Sequence, residues 1–249
     1  MMLVAQGAFA QTPIVDPNSP PIQTDRPSFT AGAALVPQRS LQLEAGAKRT
    51  SSSSERKLEW GQVLLRYGLI PEIELRLGLN SYNVIDQVDS QQQGLEDTTI
   101  AAKFRLLGEA QGVRPAVSLL PGVTLPSGHS SVSTNDVIPS LSLLLDWSLG
   151  GPFSLSSNLG WSKAISAGEN FDKFNASLSL GFGLTNRMIG YAEGYVFDRE
   201  TPQGRTASFF DTGLIYHITR TLTIDATVGT GLSGTEIDYF LGMGLGKRW

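Results

Sequence analysis

DYFLGMGLGKRW, residues 238–249, is the stretch whose reading decides the fold. Successive side chains of a strand point to opposite faces, so one face here carries Tyr239, Leu241, Met243, Leu245, Lys247 and Trp249. The other face is nearly bare, with glycine at Gly242, Gly244 and Gly246. A strand this lopsided asks which solvent meets each side. The same alternation is clearest in IELRLGLN, residues 73–80, where Ile73, Leu75, Leu77 and Leu79 alternate with Glu74, Arg76, Gly78 and Asn80, and no helical spacing fits.

Working outward, the pattern recurs in SLQLEAGAK from Ser40, TTIAAKFRLL from Thr98, PSLSLLLDWSL from Pro139 and FSLSSNLGW from Phe153. It returns in FNASLSLGFGL from Phe174, FDTGLIYHI from Phe210 and LTIDATVGT from Leu222, with weaker alternation over 58–67, 116–125 and 188–197. This predicts about twelve strands of about ten residues each.

The connections are unequal in a regular way. Short links lie near Pro71, Gly150-Gly151-Pro152, Thr185-Asn186-Arg187 and Thr219-Arg220, with a somewhat longer one at 107–114. Longer polar links alternate with them at 51–56, 81–96, 126–136, 162–172 and 198–206. One end of the structure therefore holds short turns and the other holds long loops. With an even strand count, this is the up-and-down pattern of an all-β transmembrane barrel, whose periplasmic turns are short and extracellular loops long.

A soluble barrel or sandwich would show the same alternation, because either face could be the buried one. Two further features favour the membrane: strand length, and aromatic residues near strand ends, among them Trp60, Tyr67, Tyr82, Trp147, Phe153, Trp161 and Trp249. No apolar run is long enough for a spanning helix. The net charge of −4, with both signs interspersed, offers no basic stripe for nucleic acid. Absence of cysteine means only that no disulfide is needed.

MMLVAQGAFA, residues 1–10, ends in the small-x-small form of a signal-peptidase site without a basic region before it. It is expected to be the remainder of a secretory signal, so that the mature chain starts at Gln11 and is exported to the outer membrane. Residues 11–39 then precede the barrel of 40–249.

Within residues 11–39, TDRPSFT at 24–30 is the candidate plug, with Asp25, Arg26 and Pro27 as its marked residues. Charges carried into a lumen must be paired there, and the wall offers partners. A periplasmic tail with a local turn is the competing reading. On the wall, the basic residues Arg76, Lys103 and Arg105, with Glu74 among them, fall on neighbouring strands and one face. Asp146, Glu193, Asp211 and Asp225 are expected on the opposite half. Together these residues are candidates for a charge-selective constriction, or for a salt-bridge network that only stabilises the barrel.

TDRPSFTAGAALVPQRSLQLEAG at 24–46, LLRYGLIPEIELRLGLN at 64–80 and residues 211–249 resemble the outer-membrane family of the meta-pathway of phenol degradation, whose members are called transporters. The resemblance implies a barrel of about twelve strands and uptake of small, often aromatic, solutes; it supplies no binding residues. The aromatic Trp249 also resembles the signature that the barrel assembly machinery reads, with Lys247 standing where that signature prefers an apolar residue.

No enzymatic role is expected. Gly229–Gly234 matches G-x-G-x-x-G but lies in a strand and a turn, where a dinucleotide site needs a helix. His129 and His217 are the only histidines, so neither a zinc site nor a cofactor is expected. The function expected is a channel or transporter passing small solutes through a gated lumen, with outer-membrane lipid as its surroundings. Two alternatives stay open: a structural or adhesive barrel with a closed lumen, and an outer-membrane hydrolase in which His129 serves a neighbouring serine.

Overall fold

The computed structural model describes residues 20–108, 113–166 and 168–249, and the expected signal remnant at 1–10 lies outside them. The described residues form strands without helices. In chain order they are β1 (Leu41–Ser52), β2 (Glu55–Ile70), β3 (Ile73–Gln87), β4 (Ser90–Leu95), β5 (Thr98–Leu107), β6 (Ala116–Leu125) and β7 (Ile138–Gly150). There follow β8 (Phe153–Ser166), β9 (Glu169–Thr185), β10 (Met188–Phe197), β11 (Ala207–Thr219), β12 (Leu222–Ser233) and β13 (Ile237–Arg248).

Every pairing between these strands is antiparallel, and consecutive strands are neighbours except β4 and β5. β4 and β5 share one edge of β3: Tyr82 to Gln87 pair with β4 and Ile73 to Gly78 with β5. They are one wall strand interrupted at Glu96-Asp97, which leaves twelve around the ring. The ring closes where β1 meets β13, in register from Gln42 opposite Arg248 to Ser51 opposite Tyr239. Leu41 and Trp249 extend the seam by exchanging backbone hydrogen bonds of 3.2 and 2.8 Å. A closed ring leaves no unpaired edge, which is what lets strands cross lipid at all.

Several polar links read as loops are strand instead. Most of 81–96 is a hairpin that carries β3 and β4 outward, and Ser162–Ser166 with Glu169–Asp172 do the same for β8 and β9. The ladder supplies hydrogen bonds whether or not lipid surrounds it, so a turn to polar side chains marks where the membrane ends rather than where the strand does. Irregular long connections remain at 126–137 and 198–206.

The alternation sorts side chains between two solvents. Outward-facing Leu75, Leu79, Ile100, Leu159, Leu178, Leu214, Leu241 and Met243 are exposed, Met243 by 68%. Apolar surface on this scale around a whole barrel is a lipid face. Tyr67, Phe153, Tyr216 and Trp249 ring the end with the short turns, and Trp60 opposite Tyr82 and Trp161 opposite Phe174 mark the other interface. Lys247 reaches the turn hydroxyl of Thr221 at 3.1 Å and lies 5.9 Å from the Trp249 ring, a short snorkel at that interface. Inside, many of the buried residues are charged: Glu44, Arg66, Glu74, Lys103 and Glu193 are each at most 2% exposed, beside an apolar cluster of Tyr195, Ala207, Phe209 and Phe240.

Candidate functional site

The lumen is threaded by the segment of residues 20–39. Arg248 donates to the Pro20 carbonyl and Ile22 N–H to the Arg220 carbonyl, so the segment enters beside the β13 end of the seam. Prolines at 20, 21, 27 and 37 deny it a ladder of its own. Its remaining N–H groups must find acceptors on the wall, since each one left buried and unpaired would cost about 1–3 kcal/mol.

Four wall carboxylates supply those acceptors. Glu44 of β1 accepts from Asp25 and Arg26 N–H, both at 3.0 Å. Glu193 of β10 accepts from Phe29 and Thr30 N–H at 2.6 and 2.9 Å, and Asp146 of β7 from Ala33 N–H at 2.7 Å. Glu74 of β3 accepts from Val36 N–H at 2.7 Å. Between these clamps Thr30 bonds Ser177 of β9 at 2.9 Å, Ser118 of β6 donates to the Ala33 carbonyl at 2.7 Å, and Lys103 of β5 donates to that of Gly32 at 2.7 Å. With its amide oriented to suit, Asn158 of β8 bonds Ala31 N–H and C=O at 2.8 and 2.9 Å. From Asp25 to Val36 the segment makes one circuit of the wall.

The segment also completes the charge balance. Arg66 of β2 holds Glu74 with two hydrogen bonds, at 2.8 and 3.0 Å, and Glu44 with a third at 2.9 Å. Asp25 lies among three wall cations: it accepts a hydrogen bond from Arg76, and stands 3.4 Å from Arg66 and 3.7 Å from Lys103. Three cations thus meet three carboxylates, one of them brought by the segment. Arg26 turns the other way, 3.4 Å from Asp225 of β12, 3.0 Å from the Met243 carbonyl and 2.5 Å from Gln62. Adjacent opposite charges in the segment meet opposite charges on two sides of the wall. Pro27 follows Arg26 through a cis peptide bond.

The wall acids and bases named from the sequence therefore do not face one another across open space; the segment lies between them. Asp211 stands beside Glu193 in register, with its Oδ1 buried and unbonded. Arg105 stays out of the cluster, exposed at the rim near Glu72, whose carbonyl accepts its N–H at 2.9 Å.

On the long-loop side of the segment is a cavity of about 560 Å³, floored by Arg26, Pro27, Ser28 and Phe29 and lined among others by Lys48, Gln62, Asp211, Tyr195 and Phe240. Its aromatic side was missed from the sequence. Phe29 stacks on Tyr195 at 4.3 Å and 13°, and Tyr195 on Phe209 at 4.9 Å and 11°. Phe197 sets its edge against all three rings, and Lys48 lies 4.3 Å above Phe240. Parity was the available signal: Tyr195 is two residues from Glu193, Phe209 two from Asp211, and Phe240 two from Gly242.

The glycines of the last strand acquire a purpose. A Cβ at Gly244 or at Gly46 across the seam would overlap the Arg26 guanidinium, and one at Gly246 would overlap Thr24. At Gly244 and Gly246 the face is bare where the segment packs on it, and at Gly242 it leaves room for Thr227. Of the histidines, His129 Nδ1 is 2.8 Å from Ser131 Oγ, which in turn donates to the Gln93 carbonyl, so this pair braces an outer loop. His217 Nδ1 is buried without a hydrogen bond.

Residues 24–249 match the model of the family described as "Putative MetA-pathway of phenol degradation". No curated protein matches. Among solved structures, the chain is similar to an outer membrane channel from Pseudomonas putida F1, with a TM-score of 0.67 and 12% identity over 95% of this chain and 100% of that one. It is similar also to the NanC porin (TM-score 0.56, 10% identity, 83% and 98% covered) and the KdgM porin (0.53, 12%, 83% and 98%). The fold is that of an outer-membrane barrel, and with its apolar band the chain belongs in that membrane.

Proposed function

The chain belongs to the MetA-pathway family of phenol degradation, and from that membership and the lumen above we propose that it is a channel for small solutes, aromatic ones among them, gated by residues 20–39. The observation that carries the reading is a solute-sized cavity inside the wall whose inner side is closed by a segment held through hydrogen bonds and ion pairs. Wall side chains could have filled the barrel permanently, as in small barrels. A removable floor makes a passage that is shut rather than absent.

The plug reading of Asp25, Arg26 and Pro27 is part of this proposal, and so is the reading of Glu74, Arg76, Lys103, Asp146, Glu193, Asp211 and Asp225 as the constriction that holds it. Trp249 is assigned to recognition by the assembly machinery. Similarity to channels rather than enzymes supports a non-catalytic role. The competing reading is a barrel that the same segment seals for good, leaving the outer loops to act.

Liposome swelling and planar-bilayer recording decide between them. The channel reading expects phenol flux through the wild type, with larger conductance steps when Asp25→Asn weakens the floor. Silence in both proteins, each inserted and folded, would establish the sealed barrel.

A further inference from the structure

The three stacked rings of the lumen have unequal standing. Tyr195 and Phe209 belong to the wall and are 8% and 3% exposed, whereas Phe29 belongs to the inserted segment and is 37% exposed. One face of Phe29 is taken by Tyr195 and an edge by Phe197, while the ring also lines the cavity. A buried stack therefore ends in a free aromatic face at the floor of a solute-sized chamber.

One cation of the same chamber is left without a carboxylate. Lys48 has no ion-pair partner among the described residues; its ammonium rests over Phe240. Asp211 is engaged by Glu193, its partner in register. The chamber's other charges are engaged: Arg76 by Asp25, Arg26 by Asp225, and Glu59 and Glu96 by Lys57 at 3.4 and 3.1 Å.

We propose that the inserted segment is itself part of the solute site: the free face of Phe29 stacks a planar aromatic ring, and Lys48 donates a hydrogen bond to an oxygen substituent on that ring. A hydroxyl or carbonyl oxygen on the ring accepts from the Lys48 ammonium through its lone pairs. An aromatic pair gains stabilisation beyond its buried area, which a saturated ring of the same size lacks. The solute is thus recognised on the gate, so that removing the gate removes recognition along with obstruction.

This rests on reading the lumen as a solute path, but binding and flux are separate measurements. Calorimetric titration of the detergent-purified full chain uses phenol, cyclohexanol and toluene as probes, with folding checked by heat-modifiable gel mobility. Phe29→Leu retains the clamps of Glu193 and Ser177, which hold the backbone of Phe29 and Thr30 and the Thr30 hydroxyl without using the ring. Saturable phenol binding is expected in the wild type, with cyclohexanol weaker and phenol reduced about three- to tenfold by Phe29→Leu. Phe29→Trp keeps phenol binding, and Lys48→Met weakens phenol while leaving toluene unchanged. Phenol bound equally by wild type and Phe29→Leu, cyclohexanol bound as tightly as phenol, or no saturable phenol binding would each overturn the site. Absence of flux in liposomes while phenol still binds would overturn the channel reading instead.

Discussion

Arg26 lays its guanidinium on the bare backbone of Gly244, where any side chain would overlap it. One contact thus joins the inserted segment to the last strand at the seam of the barrel. Gly244→Val is expected to expel Arg26 and, because its Cβ would also press on the Ala45 carbonyl of β1, to strain the seam locally. Planar-bilayer recording should show larger or noisier steps than the wild type, with gel mobility showing the barrel still folded. A quiet, unchanged current from folded Gly244→Val would remove Arg26 as a gate contact.

Asp25→Asn leaves Arg66, Arg76 and Lys103 facing only Glu44 and Glu74. Breaking a buried ion-pair network from one side costs about 3–5 kcal/mol. The inserted state should lose that much relative to the displaced one, and the lumen gains one positive charge. Reversal potentials in a salt gradient should move toward anion preference. An unmoved reversal potential would count against Asp25 as part of the lumenal charge set.

Arg105→Glu is expected to do little. The side chain is exposed at the rim, outside the Asp25 cluster, and surface substitutions away from structural features change stability by within about 0.5 kcal/mol. Conductance and ion preference should stay close to wild type. A reversed ion preference in this variant would place the selective charge at the rim rather than around the segment.

Asp97 organises the outer connection at 126–137. Burial alone would raise its carboxyl, but hydrogen bonds from Ser133, the backbone N–H groups of Thr134 and Gly128, and the Thr134 hydroxyl outweigh this and hold it below the ordinary 3.8. A lowered folded-state value means that this contribution is full above the unfolded pKa and is lost as pH falls through the folded one. The loop should resist proteolysis at neutral pH and become susceptible only below about pH 4. Asp97→Asn should be cut at pH 7, and equal resistance of both proteins at that pH would show that the carboxylate does not hold the loop.

Alternation is a local property, and it was enough to recover the strands, the lipid face, the polar lumen and the short turns. IELRLGLN and DYFLGMGLGKRW declare their two faces because each side chain's direction follows from its neighbour's. Strand ends were less legible, since the polar residues of 81–96 continue the ladder into water and polarity reports the solvent rather than the backbone. The aromatic wall was legible only by parity, one residue at a time.

What fills the lumen was decided by tertiary structure alone. TDRPSFT could be named as a candidate plug or as a periplasmic tail, but a proline-rich stretch without periodicity carries no record of which of the two it is or of where on the wall it would lie. Its clamps come from Glu44, Glu74, Asp146 and Glu193, which are spread over about 150 residues and converge only when the ring closes. By itself the sequence determined that Gly244 and Gly246 face inward; that Arg26 and Thr24 occupy the space they leave depends on contacts more than 200 residues apart, which no local pattern encodes.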